Sequence, residues 1–500
     1  MTTTVPDGDG LSYRSRTGRW VIAASVLGSG MASIDATVVG IALPTIGRDF
    51  HATVAQLQWV VNGYTLAVAA LLLVGGSLGD RFGRRRLFTL GIAWFTVASV
   101  ACAAAPGARA LIALRVLQGV GGALLTPGSL AILQSSFREA DRGEAIGAWT
   151  GLGGVASAAG PFLGGWLITL ASWRWIFVIN LPVGLAVLLL AVRHVPESKD
   201  PSAPARVDVA GAALVVVALA GATYGLIEGP AHGWHGPGPA VALATGAVAA
   251  VAFVVVESRT PAPLLPLGLF RHRQFTVTNA VTFVVYGALG GVLFLLPVVL
   301  QVVGHYTPLA SGVALLPLTV VMLLLSSTSG RLAARIGPRL QMGIGPVVVG
   351  CGLALLSRLG SDSSYASGVL PAVLVFGLGL AITVAPLTAT ALSAAPDEHA
   401  GLASAVNNDV ARIGGLVAVA VLPALSGISG SAYLRPTALA DGFRTATLVA
   451  GAWCVAGGIL AAVGIRNPSH AAPPPGATDR AAPVALHHCG LDAPPPVATR

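Results

Sequence analysis

Charge is what this 500-residue chain has least of. Only 10% of its residues are Asp, Glu, Lys or Arg, against about a quarter in a typical soluble domain, while 54% are hydrophobic. Most of the chain therefore cannot face water, and a soluble globular module is excluded. Lysine is nearly missing: Lys199 is the only one, and no Gly-x-x-x-x-Gly-Lys-Ser/Thr loop is present to cradle a nucleotide. Cysteine is scarce too. Cys102, Cys351, Cys454 and Cys489 are scattered, so neither a disulfide framework nor a metal cluster is implied, and no metal or cofactor is expected.

What is present is a succession of apolar runs long enough to cross a bilayer, which needs about 20 residues each. Fourteen can be counted between residues 20 and 465. The fold expected is all-α and integral to the membrane. The first run follows Arg14, Arg16 and Arg19 and has no clear cleavage site, so it reads as a retained anchor rather than a signal peptide. An even count puts both termini on one side. Of the 29 basic residues, 21 fall in the tails and even-numbered loops and 6 in the others, which makes the tails cytoplasmic and the chain a multi-pass protein of the cytoplasmic membrane. The net charge of +9 is thus an orientation signal facing lipid head groups, and no nucleic-acid partner is read from it.

One turn occurs twice. Gly76-Ser-Leu-Gly-Asp80-Arg81-Phe-Gly83-Arg84-Arg85-Arg86 follows the second run, and a worn copy, Gly330-Arg-Leu-Ala-Ala334-Arg335-Ile-Gly337-Pro-Arg339, follows the tenth. An offset of eight spans fits two six-helix bundles separated by two inserted helices, and duplicated bundles of this kind move solutes. The expected organisation is a tail at 1–19, a first bundle at 20–192, linkers with the inserted pair at 193–274, a second bundle at 275–465, and a disordered tail at 466–500. Pro-rich stretches at 195–206 and 260–266 flank the insert as stiff linkers. His487-His488-Cys489 in the tail, and His232 and His235 in a Gly/Pro loop, lack the spacing of a metal site.

Acids inside membrane helices are expensive and mark function by default. Asp35 lies about nine residues from the outer end of its span, roughly 13 Å at 1.5 Å per residue, and Arg115 sits roughly 9 Å deep in span four, so the two can meet. Desolvation and a nearby guanidinium act oppositely on such a carboxyl, and moving Arg115 would change its hold on a proton. The same pair also reads as a static tie between spans one and four, and Arg115 as a packing donor to backbone carbonyls. Gln118 shares the face of Arg115. Asn62, Asn180, Asn279 and Tyr286 are the other candidate cavity residues, with interhelical hydrogen bonding as the alternative for each. Asp409 and Arg412, three apart, read as a structural pair, and Glu228 and Glu257 as solvated boundary residues.

With these motifs the chain resembles the major facilitator superfamily, specifically its fourteen-span drug:proton antiporters. Five stretches carry the likeness: Ile34-Asp35 to Pro44, Gly76 to Arg86, Leu111 to Gly119 around Arg115, Gly160-Pro161-Phe-Leu-Gly164-Gly165, and Trp173 to Pro182. The resemblance implies two six-helix bundles that rock about a central cavity, with Asp35 and Arg115 coupling protons. It implies that Gly76, Asp80, Arg81, Gly83 and Arg84 form a gate against span thirteen, and that Gly160, Pro161, Gly164 and Gly165 mark an exporter. The second copy of the turn has Ala334 where Asp80 stands, so a second gate there must be weaker or differently built. The expected function is proton-driven export of amphiphilic drugs or antibiotics by a monomer. Its partners are a small-molecule substrate, protons and the lipid bilayer. Spans nine to twelve hold no acid, which favours neutral, zwitterionic or monocationic cargo over dications. The alternative is a permease of the same fold for one metabolite, exporting or importing; a membrane enzyme or sensor fits poorly, because loops and tails are short.

Overall fold

The computed structural model describes residues 10–201, 208–234, 236–261, 263–361, 363–394 and 400–467. His235, residues 395–399, and the tail carrying His487, His488 and Cys489 lie outside them. All fourteen expected spans are present as helices. In chain order they are α1 (Arg16–Asp49), α2 (Val54–Phe82), α3 (Arg84–Ala103), α4 (Ala108–Ser136), α5 (Glu139–Leu170), α6 (Trp175–His194) and α7 (Val209–His232). Then come α8 (Pro237–Glu257), α9 (Arg273–Val302), α10 (Pro308–Ile336), α11 (Pro338–Leu356), α12 (Tyr365–Ser393), α13 (Leu402–Leu425) and α14 (Pro436–Gly464). No strand forms among the described residues; Leu11 and Phe137 make a single bridge.

Local chemistry sets the helix ends. Ser15 caps α1 by accepting from the Gly18 N–H, and Thr53 and Gln56 form a reciprocal capping box on α2. Thr307 caps α10 ahead of Pro308, whose missing N–H costs nothing in a first turn. Gly83 and Gly337 occupy equivalent places in the repeated turn, and both have positive φ, 118° and 83°. Each ends one helix and starts the next without an intervening residue, a reversal that side-chain-bearing residues resist.

The duplication seen in the turn extends to packing. In the first six helices α1 packs on α5 and α6, α4 on α2 and α3, and α3 on α6; in the last six α9 packs on α13 and α14, α12 on α10 and α11, and α11 on α14. Adding eight to each number in the first set gives the second. Helices α7 and α8 pack on one another, and α7 also lies against α2 and α13, where the Trp59 indole N–H donates to Glu228 at 3.0 Å. The inserted pair therefore rides on the seam between the two sets. Glu257, expected to be a solvated boundary residue, is instead 3% exposed. Its Oε2 accepts from the Leu265 N–H at 3.0 Å, because the linker after α8 folds back over the helix end.

Contacts between the two sets of six are one-sided. Gln58 donates to the carbonyls of Val419 and Ala420, Asn62 to that of Leu416, Gln301 to that of Ile41 and Tyr433 to that of Ala52. Among the described residues these, with the Val54 N–H to Gly430, are the crossing hydrogen bonds, and they lie on the half of the molecule toward Asp49. A Cβ on Gly165 would strike the backbone of Pro308 and Leu309, so α5 and α10 touch there with no room for a side chain. Toward the Phe82 end the sets part: Gly143, Gly147, Gly151 and Gly154 on the other half of α5 have nothing within 4 Å of a would-be Cβ.

Candidate functional site

Four helices bring polar side chains to one buried point in the first six, and a fifth, α2, adds a backbone carbonyl. Asp35 of α1 and Arg115 of α4 are each 1% exposed and meet at 2.5 Å between Nη1 and Oδ2. Gln118, one turn from Arg115, donates to Asp35 Oδ1 at 2.8 Å and accepts from Arg115 at 2.7 Å. Asn180 of α6 donates to the same Oδ1 at 3.4 Å and to Ser99 Oγ of α3 at 2.9 Å. Ser99 in turn donates to the Phe177 carbonyl at 3.0 Å. That carbonyl lies in the last turn before the break in α6 at Ile179.

Arg115 is held from several directions. Its Nε donates to the Val60 carbonyl of α2 at 3.1 Å, and its guanidinium lies 4.4 Å from the Tyr64 ring and 5.8 Å from that of Phe177. A guanidinium has five donor hydrogens and no acceptor, so it must find such partners wherever it is buried. The contact with Val60 is the backbone-packing role weighed from sequence, and it coexists with the ion pair. Every group aimed at Asp35 is a donor, which suits a carboxylate and leaves no acceptor for an acid hydroxyl. Besides Asp35, the Val60 carbonyl, Gln118 Oε1 and two aromatic faces contact the guanidinium.

The other candidates sit apart from this cluster. Asn62 faces α13 and bridges the two sets of six, with its Oδ1 buried and unbonded. Asn279 of α9 pairs with Asn407 of α13 at 3.1 Å, an interhelical bond as its alternative reading had it. Tyr286 is half-buried on α9, and its hydroxyl makes no hydrogen bond among the described residues. The expected Asp409–Arg412 pair does not form: the two are on neighbouring turns of α13, yet no ion pair joins them, and Asp409 Oδ1 is buried without a partner.

In the repeated turn, Asp80 pairs with Arg84 at 2.8 Å, and Arg81 lies over the Phe82 ring at 5.0 Å. The segment after α6 laces this turn down. Glu197 accepts from the Arg85 N–H at 3.1 Å and sits 3.7 Å from the guanidinium groups of both Arg85 and Arg86. The Asp80 carboxylate is thus engaged within its own turn, and among the described residues no hydrogen bond or ion pair joins it to α13. Gly76 lies near Pro127 of α4. In α5, a Cβ on Gly160 or Gly164 would strike Thr37 or Val38 of α1, so both glycines serve close packing of α5 on α1, while Pro161 lies within the continuous helix and its carbonyl faces Gly312 of α10.

Sequence reasoning missed Ser99, Tyr64, Asn407 and Glu197. A serine in a span usually bonds its own helix, as Ser29 does with the Ser25 carbonyl, so nothing in the spacing set Ser99 apart.

Comparisons with known proteins agree with this architecture. The model of the Major Facilitator Superfamily matches residues 25–419. The chain is 38% identical over 405 residues to the tetracenomycin C resistance and export protein of Streptomyces glaucescens, covering 81% of this chain and 75% of that one. It is 36% identical over 423 residues to the multidrug resistance protein Stp of Mycobacterium tuberculosis, covering 84% and 78%. Among solved structures, a bacterial homologue of the human lysosomal transporter Spinster superposes with a TM-score of 0.64 at 16% identity, covering 90% of this chain and 97% of that one. The chain belongs to the Major Facilitator Superfamily, a family of transporters, and groups within it with the drug-efflux proteins.

Proposed function

We propose that this chain expels amphiphilic drug-like molecules, antibiotics among them, across the cytoplasmic membrane in exchange for protons, as a monomer with both termini in the cytoplasm. The observation that carries the reading is the Asp35 cluster: a carboxylate buried in α1, ringed by donors, whose cation has other places to rest. Such a group exchanges a proton for a conformational change, because it cannot hold both the proton and Arg115. Arg84, Arg85, Arg86, Arg138 and Arg193 gather toward the Phe82 end. That end is therefore cytoplasmic by the distribution of basic loops, and the parting of the helices there is an inward-open state.

In the cycle, cargo enters from the cytoplasmic side between the two sets of six, and closure of the Phe82 end opens the Asp49 end. A proton from outside then takes Asp35 from Arg115, cargo leaves, and the return stroke carries the proton in. The crossing hydrogen bonds of Gln58, Asn62, Gln301 and Tyr433 break and reform in each turn of the cycle, and the Asp80 turn gates the cytoplasmic side. The relatives' printed names, one an export protein for tetracenomycin C and the other a multidrug resistance protein, support outward transport of such molecules. The test is a susceptibility panel of antibiotics and dyes in a pump-deficient host. Expression of the chain should raise tolerance to some members and Asp35→Asn should remove that gain; no gain for any member would refute the reading.

A further inference from the structure

Asp409 is a second acid deep in the membrane, and the cycle above does not use it. It is 7% exposed, and among the described residues its Oδ1 has no hydrogen-bond donor and no cation lies within ion-pair distance. Five helices pack on α13: α2, α7, α9, α12 and α14. Their charged side chains stand at the helix ends, Asp80 and Arg81 on α2, Glu228 and His232 on α7, Arg273 on α9, and Asp441 and Arg444 on α14. Among titratable groups only Arg412, one turn along its own helix, acts on Asp409 electrostatically. A bare carboxylate in such a place would be strongly disfavoured, so the geometry is that of a neutral acid.

Its position is suggestive of coupling. Asp409 lies two turns from Leu416, whose carbonyl takes the crossing bond from Asn62, on the helix that slides when the two sets of six rock. Asn408, the next residue, is exposed.

We propose that Asp409 is a second proton-binding carboxyl, seated in the last six helices and loaded in the same cycle as Asp35; this rests on the proton-exchange reading above. In the arrangement seen here Asp409 holds its proton. When α13 moves, the O–H bond breaks, the proton passes to water past Asn408, and Arg412 closes on the new carboxylate across one turn.

Infrared titration of the full-length chain in lipid tests this without any cargo. A protonated-carboxyl C=O band should titrate in the wild type, persist in Asp35→Asn, vanish in Asp409→Asn and return shifted in Asp409→Glu. In proteoliposomes with ethidium as the probe cargo, protons moved per ethidium should fall by about half in Asp409→Asn, one of two proton-carrying acids being lost. An unchanged band, or an unchanged proton count, in Asp409→Asn would overturn the proposal and leave Asp35-driven exchange standing. A wild type that moves ethidium and no protons would overturn the exchange reading and this proposal together.

Discussion

Arg115 of α4 holds Asp35 of α1 at 2.5 Å while its Nε reaches the Val60 carbonyl of α2, so one guanidinium ties three helices at the most buried charge in the chain. Removing one member leaves the other charged and unpaired, which costs about 3–5 kcal/mol in such pairs. Arg115→Gln should therefore lower the melting temperature sharply. The double variant Asp35→Asn with Arg115→Gln should regain most of that stability and none of the transport. Thermal melts in detergent beside efflux assays check this; a double variant that pumps normally would reduce the pair to a structural tie.

Gly165 against Pro308 and Leu309 closes the Asp49 end. A valine there must push α5 and α10 apart, and overpacking of this kind costs about 1–3 kcal/mol. Because the strain falls on one state only, Gly165→Val should shift the population toward an open Asp49 end, by roughly tenfold for each 1.4 kcal/mol. Spin-label distances across that end, between α5 and α10, report the shift. Equal distances in wild type and variant would contradict it.

Alanine at Gly83 is predicted to strain the repeated turn. Gly83 has positive φ, and side-chain-bearing residues held in such conformations cost of order 1–3 kcal/mol. The new Cβ would also meet the side chain of Glu197, which anchors Arg85 and Arg86. Gly83→Ala should lower the melting temperature, and Gly83→Ala with Glu197→Ala should recover part of the loss relative to Glu197→Ala alone. No recovery would contradict the packing seen around Glu197.

Asp80 and Arg84 form a partly exposed pair one turn apart, worth about 0–1 kcal/mol. If the turn is a gate, Asp80→Asn should leave the melting temperature almost unchanged while slowing transport. Parallel melts and initial rates of dye efflux separate the two effects; unaltered rates would mean that the turn only holds its loop in place by charge.

Much of this was legible beforehand because helical geometry is regular. Depth along α1 and α4 was enough to bring Asp35 to Arg115, and the three-residue spacing put Gln118 beside them. The offset of the repeated turn gave the order of the packing pairs. What stayed hidden depends on which faces meet. Ser99 enters the cluster only where Gln118 of α4 and Asn180 of α6 both reach it. Asn407 acquires meaning only opposite Asn279. The spacing of Asp409 and Arg412 promised a pair, yet none forms and Asp409 Oδ1 is left without a partner among the described residues; spacing along one helix does not tell which way a long side chain turns. Glu257 was misjudged because a linker, not lipid head groups, covers it.

The central claim is that Asp35 exchanges protons for cargo, and its most direct measure is cargo flux in proteoliposomes under an imposed pH gradient, with a trapped pH dye following protons. Wild-type protein should drive cargo against its concentration gradient while protons flow the other way. Asp35→Asn should bind cargo and let it equilibrate, with no response to the pH gradient. Full pH-driven accumulation by Asp35→Asn would contradict the account.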